Sequence, residues 1–210
     1  MVYYAHTADG PDGKPTGEEQ QHWQLLKDHL RNVASLARRF AEPLGLAKEA
    51  ELVGLLHDLG KYRDEFQSYL RGERASSVET QHAIYGVAWA LAPHQQLGSV
   101  FAVAGHHAGL HDLSDAQAAA SKSTILTVLP ELVHRIESEL RGLPVPPGIP
   151  PHVTSDLSAE FYTRLLFSCL IDADRFDSAF WPANAPEDLA LDAQRLLRPI
   201  RPNYFAAFDA

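Results

Sequence analysis

The chain has 210 residues, 45 % of them hydrophobic, which is enough to bury the core of one ordinary domain. Its formal net charge of −9 argues against broad, non-specific nucleic-acid binding, which requires a basic surface. The sequence contains no apolar run of about 18 residues that would cross a membrane, and its only cysteine, Cys169, excludes an internal disulfide and clusters of thiolate ligands. The N-terminus lacks the basic and apolar regions of a signal peptide, so we expect a cytoplasmic protein.

Apolar residues recur at helical spacing along most of the chain, so the sequence predicts an all-α helical bundle. The predicted helices cover residues 18–41, a segment that starts near Ala47, a short run around 66–70, and residues 79–92, 96–108, 114–141, 156–178 and 186–198. Pro130 is expected to kink or interrupt the helix that contains it. Outside the helices, the sequence predicts a possible short strand at 2–4, loops at 5–17 and 72–77, and a proline-rich crossover at 143–154 inside a single domain of residues 1–210.

The most informative segment is GLLHDLGK, residues 54–61, which places His57 and Asp58 side by side at the end of an apolar helix. Its aliphatic residues recur at helical spacing, so the last turn of the helix is expected to face inward, and Gly60 is expected to end it. A buried carboxylate without a partner is energetically expensive. A metal ion bound by Asp58 and His57 would offset that penalty. The alternative is a hydrogen-bonded core histidine beside an aspartate that caps a local turn.

Other histidines and acids repeat this placement within, or at the end of, an otherwise apolar helix. They are His29, His82, His106, His107 and Asp174, with Asp172 an alternative to Asp174. Helices that direct imidazoles and carboxylates at one point are how a bundle builds a metal site. Nitrogen and oxygen ligands suit manganese, iron, cobalt or nickel, with zinc possible. Together with His57 and Asp58 these groups exceed what one tetrahedral ion needs, so we expect two ions about 3.5–4 Å apart.

The order H…HD…H…HH…D, with HDLGK and GHHAGL, resembles the HD phosphohydrolase superfamily. More narrowly it resembles the HD nuclease domain of the CRISPR type I helicase–nuclease, through the His doublet followed by AGL, through DADRFDS, and through AHT followed after a spacer by WQLLKDHL. The resemblance covers roughly residues 5–180. It implies an HD-type fold around a metal centre.

The resemblance also implies roles for individual residues. His57, Asp58 and Asp174 would hold one ion, with His29 as an additional ligand. His82, His106 and His107 would hold the second ion together with Asp58, which would bridge the two. Lys61 would offset charge on the substrate phosphate. Asp174 is favoured over Asp172 because Ala173-Asp174-Arg175 matches the usual ending of the superfamily, and Asp172 would then support the site or cap a turn.

The activity implied is metal-assisted hydrolysis of phosphodiester bonds in single-stranded DNA during CRISPR interference. Because the chain has no Walker A loop, the helicase is expected to be a separate chain or a C-terminal extension. The acidic charge suggests that a partner, such as an RNA-guided target-recognition complex, delivers the DNA. Two alternatives stay open. One is an HD-type nucleotidase or cyclic-nucleotide phosphodiesterase, and the other is a non-catalytic interaction module stabilised by metal.

The remaining histidines and the tryptophans are assigned by their neighbours in the sequence. Surface positions are predicted for His6, His22, His94, His134 and His152, which have polar or proline-rich neighbours. His111 follows the His106-His107 doublet and is predicted to line the mouth of the site, where it would contact substrate. Core positions are predicted for Trp23, Trp89 and Trp181.

Overall fold

A computed structural model describes residues 2–7, 23–77, 81–91, 96–107, 109, 112–140, 142–144 and 148–180. In these ranges the helices are α1 (Leu26–Ala41), α2 (Ala47–Leu56), α3 (Asp64–Leu70), α4 (Ala83–Leu91), α5 (Leu97–Gly105), α6 (Leu113–Ala120), α7 (Ser123–Leu140) and α8 (Asp156–Phe180). Short 3-10 helices occupy Glu42–Leu44 and Leu59–Tyr62, and β1 (Tyr4–His6) pairs antiparallel with β2 (Gln24–Leu25). The predicted all-α bundle is therefore confirmed. Among the described helices, none is long and apolar enough to cross a membrane.

The centre of the bundle is the packing of α1 against α2 and α8. The apolar stripe of α1 buries Leu30 and Val33 completely, and α8 contributes Leu166 and Leu170 to the same core. Helices α1 and α2 approach closely at Gly54, where an added Cβ would lie 2.5 Å from the Cα of Ala34. This close approach brings the end of α2 beside the first turns of α1.

Helix α4 packs against the end of α2, and α5 packs against α4 and α8. A Cβ added to Gly86 of α4 would overlap the carbonyl oxygen of Leu56, so this crossing requires a glycine. Gly60 has a similar role, because its Cβ would overlap the backbone of His82. The prediction that Gly60 ends the helix is wrong: α2 already ends at Leu56, and Gly60 lies inside the following 3-10 helix. The contact at Gly60 brings His82, just before α4, close to Asp58, and the contact at Gly86 holds α4 against the end of α2.

The helix predicted for residues 18–41 begins later than expected. In its described part, Gln24 and Leu25 form β2, and the backbone N–H of Leu26 donates to the carbonyl oxygen of Tyr3 at 2.9 Å. The side chain of Gln24 is fully buried and hydrogen-bonded to Asp177. These tertiary contacts override the helical preference of the segment. The predicted strand is present but shifted, from residues 2–4 to Tyr4–His6.

Other helix boundaries differ by smaller amounts. The stretch 114–141 is two helices, α6 and α7, which are separated at Ser121–Lys122, and Pro130 lies inside α7 without ending it. His82 precedes α4 instead of lying within it, and the His doublet forms a turn after α5. The short run around 66–70, the loop at 72–77 and the long helix from 156 are confirmed. The described part of the crossover contains no helix, and the helix predicted at 186–198 lies outside the described residues. The assignment of residues 1–210 to one domain stays a prediction.

Candidate metal centre

Asp58 lies between two groups of histidines and directs one carboxylate oxygen at each. Its side chain is buried because the chain turns from α2 into the 3-10 helix at this point. Oδ2 is 3.2 Å from Nε2 of His29 and 3.3 Å from Nε2 of His57. Oδ1 is 3.0 Å from Nε2 of His82 and 3.6 Å from Nε2 of His106. The one carboxylate is therefore shared by both groups.

We call His29, His57 and Asp174 the inner cluster. They come from α1, the end of α2 and α8, and Oδ1 of Asp174 is 3.5 Å from Nε2 of His29 and 3.7 Å from Nε2 of His57. The Nδ1 of His57 donates to the carbonyl oxygen of Gly54 at 2.9 Å, and the Nδ1 of His29 donates to Asp177 at 2.7 Å. Because Nδ1 of each ring donates away from the centre, Nε2 is the ring nitrogen that faces the centre and can bind a metal ion. These two Nε2 atoms are only 3.2 Å apart, a spacing that suits either a shared proton or a metal ion beside them.

Asp177 supports the inner cluster and was missed by the sequence analysis. It is fully buried, and its Oδ2 accepts hydrogen bonds from His29 and from Nε2 of Gln24 at 2.6 Å. Its Oδ1 accepts from Nδ2 of Asn32 at 2.9 Å. A carboxylate in this position fixes the tautomer and orientation of a ligating histidine. Its sequence signal was the i, i+3 spacing from Asp174, which puts both acids on one face of α8.

Asp172 does not have the supporting role predicted for it. Its side chain is exposed, and two residues of helix carry it to the side of α8 away from Asp174. The choice of Asp174 over Asp172 therefore agrees with the placement of the two side chains. The supporting carboxylate is Asp177, which was not considered.

We call His82, His106 and His107 the outer cluster, which faces Oδ1 of Asp58. The Nδ1 of His106 donates to the carbonyl oxygen of Val103 at 2.7 Å, so its Nε2 also presents a lone pair. The Nε2 atoms of His82 and His107 are 2.7 Å apart. Three buried atoms here have no hydrogen-bond partner among the described residues: Oδ1 of Asp58, Nδ1 of His82 and Nε2 of His106. Oδ1 of Asp58 and Nε2 of His106 lie 3.6 Å apart beside Nε2 of His82, and unsatisfied oxygen and nitrogen atoms placed in this way suit a divalent cation.

Lys61 lies within the site but does not reach solvent. Its Nζ is 2.6 Å from Oδ2 of Asp58 and donates to the carbonyl oxygen of Ala5 at 3.2 Å, and the residue is 4 % exposed. It therefore balances the charge of the shared carboxylate and ties it to β1. Its predicted contact with a substrate phosphate stays a prediction.

The prediction that His6 is a surface residue is wrong. Strand β1 places its ring 4.9 Å from that of His29, edge to face, and its side chain can share a metal with His29 and Asp58. Burial, with the nearby charge of Lys61, lowers the pKa of His6 to about 2, so the imidazole is neutral and able to act as a ligand. The strand is short and weak in sequence, and the one signal that could have indicated this position was the AHT motif, which contains His6.

The other assignments can be checked where the structure describes them. His134 and His152 are exposed and Trp23 and Trp89 are buried, as predicted. Outside the described residues lie His22, His94, His111 and Trp181. All seven residues predicted as ligands come together around Asp58, and their role as ligands stays a prediction.

The electrostatics of the two clusters differ. Burial lowers the pKa of His57, but the carboxylates of Asp58 and Asp174 outweigh burial and raise it to about 10. Burial lowers the pKa of His82, and it also lowers the pKa of His107 to about 4, with the neighbouring histidines contributing. The carboxylates of the inner cluster thus attract positive charge, whereas His82 and His107 of the outer cluster are neutral imidazoles.

A comparison with models of protein families finds a family that matches this chain. The model of the HD domain matches residues 26–141, more than half of the chain. The match contains every residue of the outer cluster together with His29, His57 and Asp58, whereas Asp174 lies beyond it. A comparison with curated proteins found no significant match. The chain belongs to the HD domain family, which consists of metal-dependent hydrolases.

Proposed function

We propose that this protein is a metal-dependent nuclease that hydrolyses phosphodiester bonds of single-stranded DNA in CRISPR interference. The observation that supports a two-ion hydrolase is the sharing of Asp58, whose two oxygens face two separate groups of histidines. The DNA substrate and the CRISPR context are supported by the sequence motifs GHHAGL, DADRFDS and AHT, which resemble those of that nuclease.

The ligands proposed for the first ion are His29, His57, Asp58 and Asp174, and those for the second are Asp58, His82, His106 and His107. The donor atoms are nitrogen and oxygen only, so we propose manganese, iron, cobalt or nickel, with zinc possible. The orphaned atoms of Asp58 and His106 fit this assignment, because no described group satisfies them. When bound, such ions supply a water of lowered pKa and neutralise charge on the phosphate.

The protein contributes fixed tautomers and balanced charge. Nδ1 of each of three histidines donates to a fixed acceptor, which leaves Nε2 facing the centre. The pairs are His57 with Gly54, His106 with Val103, and His29 with Asp177. Lys61 neutralises part of the charge on Asp58, and we propose that it also offsets the charge of the bound phosphate. His111 is proposed to contact substrate at the mouth of the site.

The partners are proposed from charge. An acidic chain has little affinity for a polyanion by itself. A helicase, either a separate chain or a C-terminal extension, would therefore supply single-stranded DNA after an RNA-guided complex has opened the target. Single strands expose a flexible backbone that a stacked duplex does not.

The function is tested by adding manganese to metal-stripped protein and following four substrates: linear single-stranded DNA, circular single-stranded DNA, duplex DNA and free deoxynucleotides. We expect cleavage of linear single strands and little reaction with duplex or nucleotides, and cleavage of circles would add endonuclease character. His57→Ala, checked by circular dichroism, is the inactive control. Rapid phosphate release from a deoxynucleotide beside intact single strands would favour a nucleotidase. Bound metal without any hydrolysis would favour the non-catalytic module.

A further inference from the structure

A row of aromatic rings leads away from the outer cluster. The ring of Phe66 lies edge to face with that of His82, with 5.2 Å between centroids. The ring of Tyr69 follows one turn later on α3, 6.0 Å from that of Phe66. Phe66 is buried, whereas Tyr69 is 38 % exposed. The row therefore begins at a proposed metal ligand and ends at an aromatic ring that is open to solvent.

These rings form part of the wall of a cavity of about 720 Å³. Its volume lies within the range of about 300–1,000 Å³ that is usual for small-molecule sites. His82 and His107 also line it, so the cavity is continuous with the outer cluster. Most of the remaining wall is small or aliphatic, and consists of Ala83, Ile84, Val87, Ala104, Ala116 and Ala119.

The charge of the cavity excludes one class of occupant. Its described lining residues include no lysine or arginine, and the only carboxylate among them is that of Asp115. A phosphate in this cavity would therefore contact no cationic side chain among the lining residues, and Lys61, whose Nζ is 5.6 Å from the centroid of the Phe66 ring, is already paired with Asp58. An uncharged aromatic ring with polar edges fits better, since Tyr69 is a partly exposed aromatic ring in the wall, and Gln81 and Asp115 offer hydrogen-bonding groups.

We propose that this cavity binds a nucleobase of the DNA strand, next to the phosphodiester held at the metal centre, with the base stacked on Tyr69. The inference rests on the proposed function and adds to it a second contact with the substrate. The phosphate and the base occupy adjacent but chemically different places. Binding the base fixes the strand relative to the ions without any basic residue in the cavity.

The test compares Tyr69→Ala with the unmodified protein on two single-stranded oligonucleotides of equal length. One carries normal bases, and the other is built entirely of abasic tetrahydrofuran residues. We expect Tyr69→Ala to lower kcat/KM about tenfold on the normal strand, the size of one lost stacking contact. On the abasic strand the two proteins should differ less than about twofold. Metal content, measured on the same samples, should be unchanged.

Two further variants control for a loss that is merely structural. Tyr69→Phe keeps the ring and should retain activity on both strands. Phe161→Ala removes a more exposed aromatic ring, 60 % exposed against 38 % for Tyr69, that lines a different cavity beside α8, and should affect neither strand. An equal loss on both strands for Tyr69→Ala, or no loss on either, would overturn the inference alone. Unmodified protein that cuts neither strand would overturn the proposed function. If a deoxynucleoside monophosphate is hydrolysed with the same dependence on Tyr69, the occupant is a free nucleotide instead of a base in a strand.

Discussion

The inner and outer clusters share Asp58 but are built differently. In the inner cluster His29 lies within α1, and Asp177, itself held by Gln24 and Asn32, fixes the ring of His29. The outer histidines lie in the turns before α4 and after α5, and there Nδ1 of His82 and Nε2 of His106 have no hydrogen-bond partner among the described residues. Supporting hydrogen bonds orient a ligand before its metal arrives. We therefore expect the inner cluster to bind its ion more tightly than the outer one.

Removing the shared carboxylate should have the largest effect. Asp58→Ala is expected to abolish hydrolysis and to weaken metal binding in both clusters, because each loses one ligand atom. The change also leaves the buried ammonium of Lys61 without its ion pair, a loss of about 3–5 kcal/mol in the free energy of unfolding. Activity, metal content, circular dichroism and thermal unfolding would be measured on one preparation.

The double variant Asp58→Ala/Lys61→Met separates stability from chemistry. It removes both charges, so it should unfold at a higher temperature than Asp58→Ala and remain inactive. Hydrolysis by either variant would contradict the bridging role of Asp58.

Asp174→Asn should have the next largest effect. An amide oxygen is a neutral and poorer ligand, so we expect activity to fall by at least about tenfold, with the ion lost from the inner cluster. The matched control is Asp172→Asn on the same helix, which changes an exposed side chain and should retain activity. The opposite ranking of these two variants would show that α8 presents a different acid to the metal.

A smaller loss of activity is expected from Asp177→Asn, because Asp177 is not among the proposed metal ligands. It removes the carboxylate that accepts the Nδ1 proton of His29, and such changes lower metal affinity about 10- to 100-fold. Competition with a chelator should show release of one ion per protein at a lower chelator concentration than in the unmodified protein. Full recovery of activity at high manganese would distinguish this supporting role from that of a ligand. Simultaneous loss of both ions would contradict the separation of the clusters.

The smallest expected effect is on the pH dependence of the stability of the metal-free protein. The folded pKa of His57 is about 10, above the ordinary 6.5, so its contribution to stability is complete below about pH 6.5 and is lost as pH rises towards 10. The folded pKa of His107 is about 4, so the unfolded chain binds its proton more readily and stability falls as pH drops from 6.5 towards 4. In urea unfolding, His57→Gln should reduce the pH dependence of the free energy of unfolding on the alkaline side. His107→Gln should reduce it on the acidic side. If both variants gave the same profile of unfolding free energy against pH, the electrostatic difference between the two clusters would be contradicted.

The sequence predicted those features that depend on residue type at a helical position. A histidine or aspartate on an apolar stripe is unusual enough to be noticed, and His29, His57, Asp58 and Asp174 were identified that way. Gln24 and Asp177 were not, because a single polar residue in a segment predicted to be helical is common, and only tertiary packing reveals that both are buried. His6 was misassigned because two short strands decide its position. The contacts of the Lys61 side chain could not be predicted, because a long flexible side chain can reach several partners and the fold decides which of them lies nearest.

The placement of Asp174 and Asp177 on α8 also bears on how the protein matures. During synthesis on a ribosome, all the outer ligands and Asp58 have been translated once residue 107 is made. The inner cluster is complete only after α8 has been translated, and α8 follows α6, α7 and the proline-rich crossover. A nascent chain arrested before α8 therefore has a complete outer ligand set and an incomplete inner one. The cluster that we expect to bind metal more tightly is the later one to be assembled.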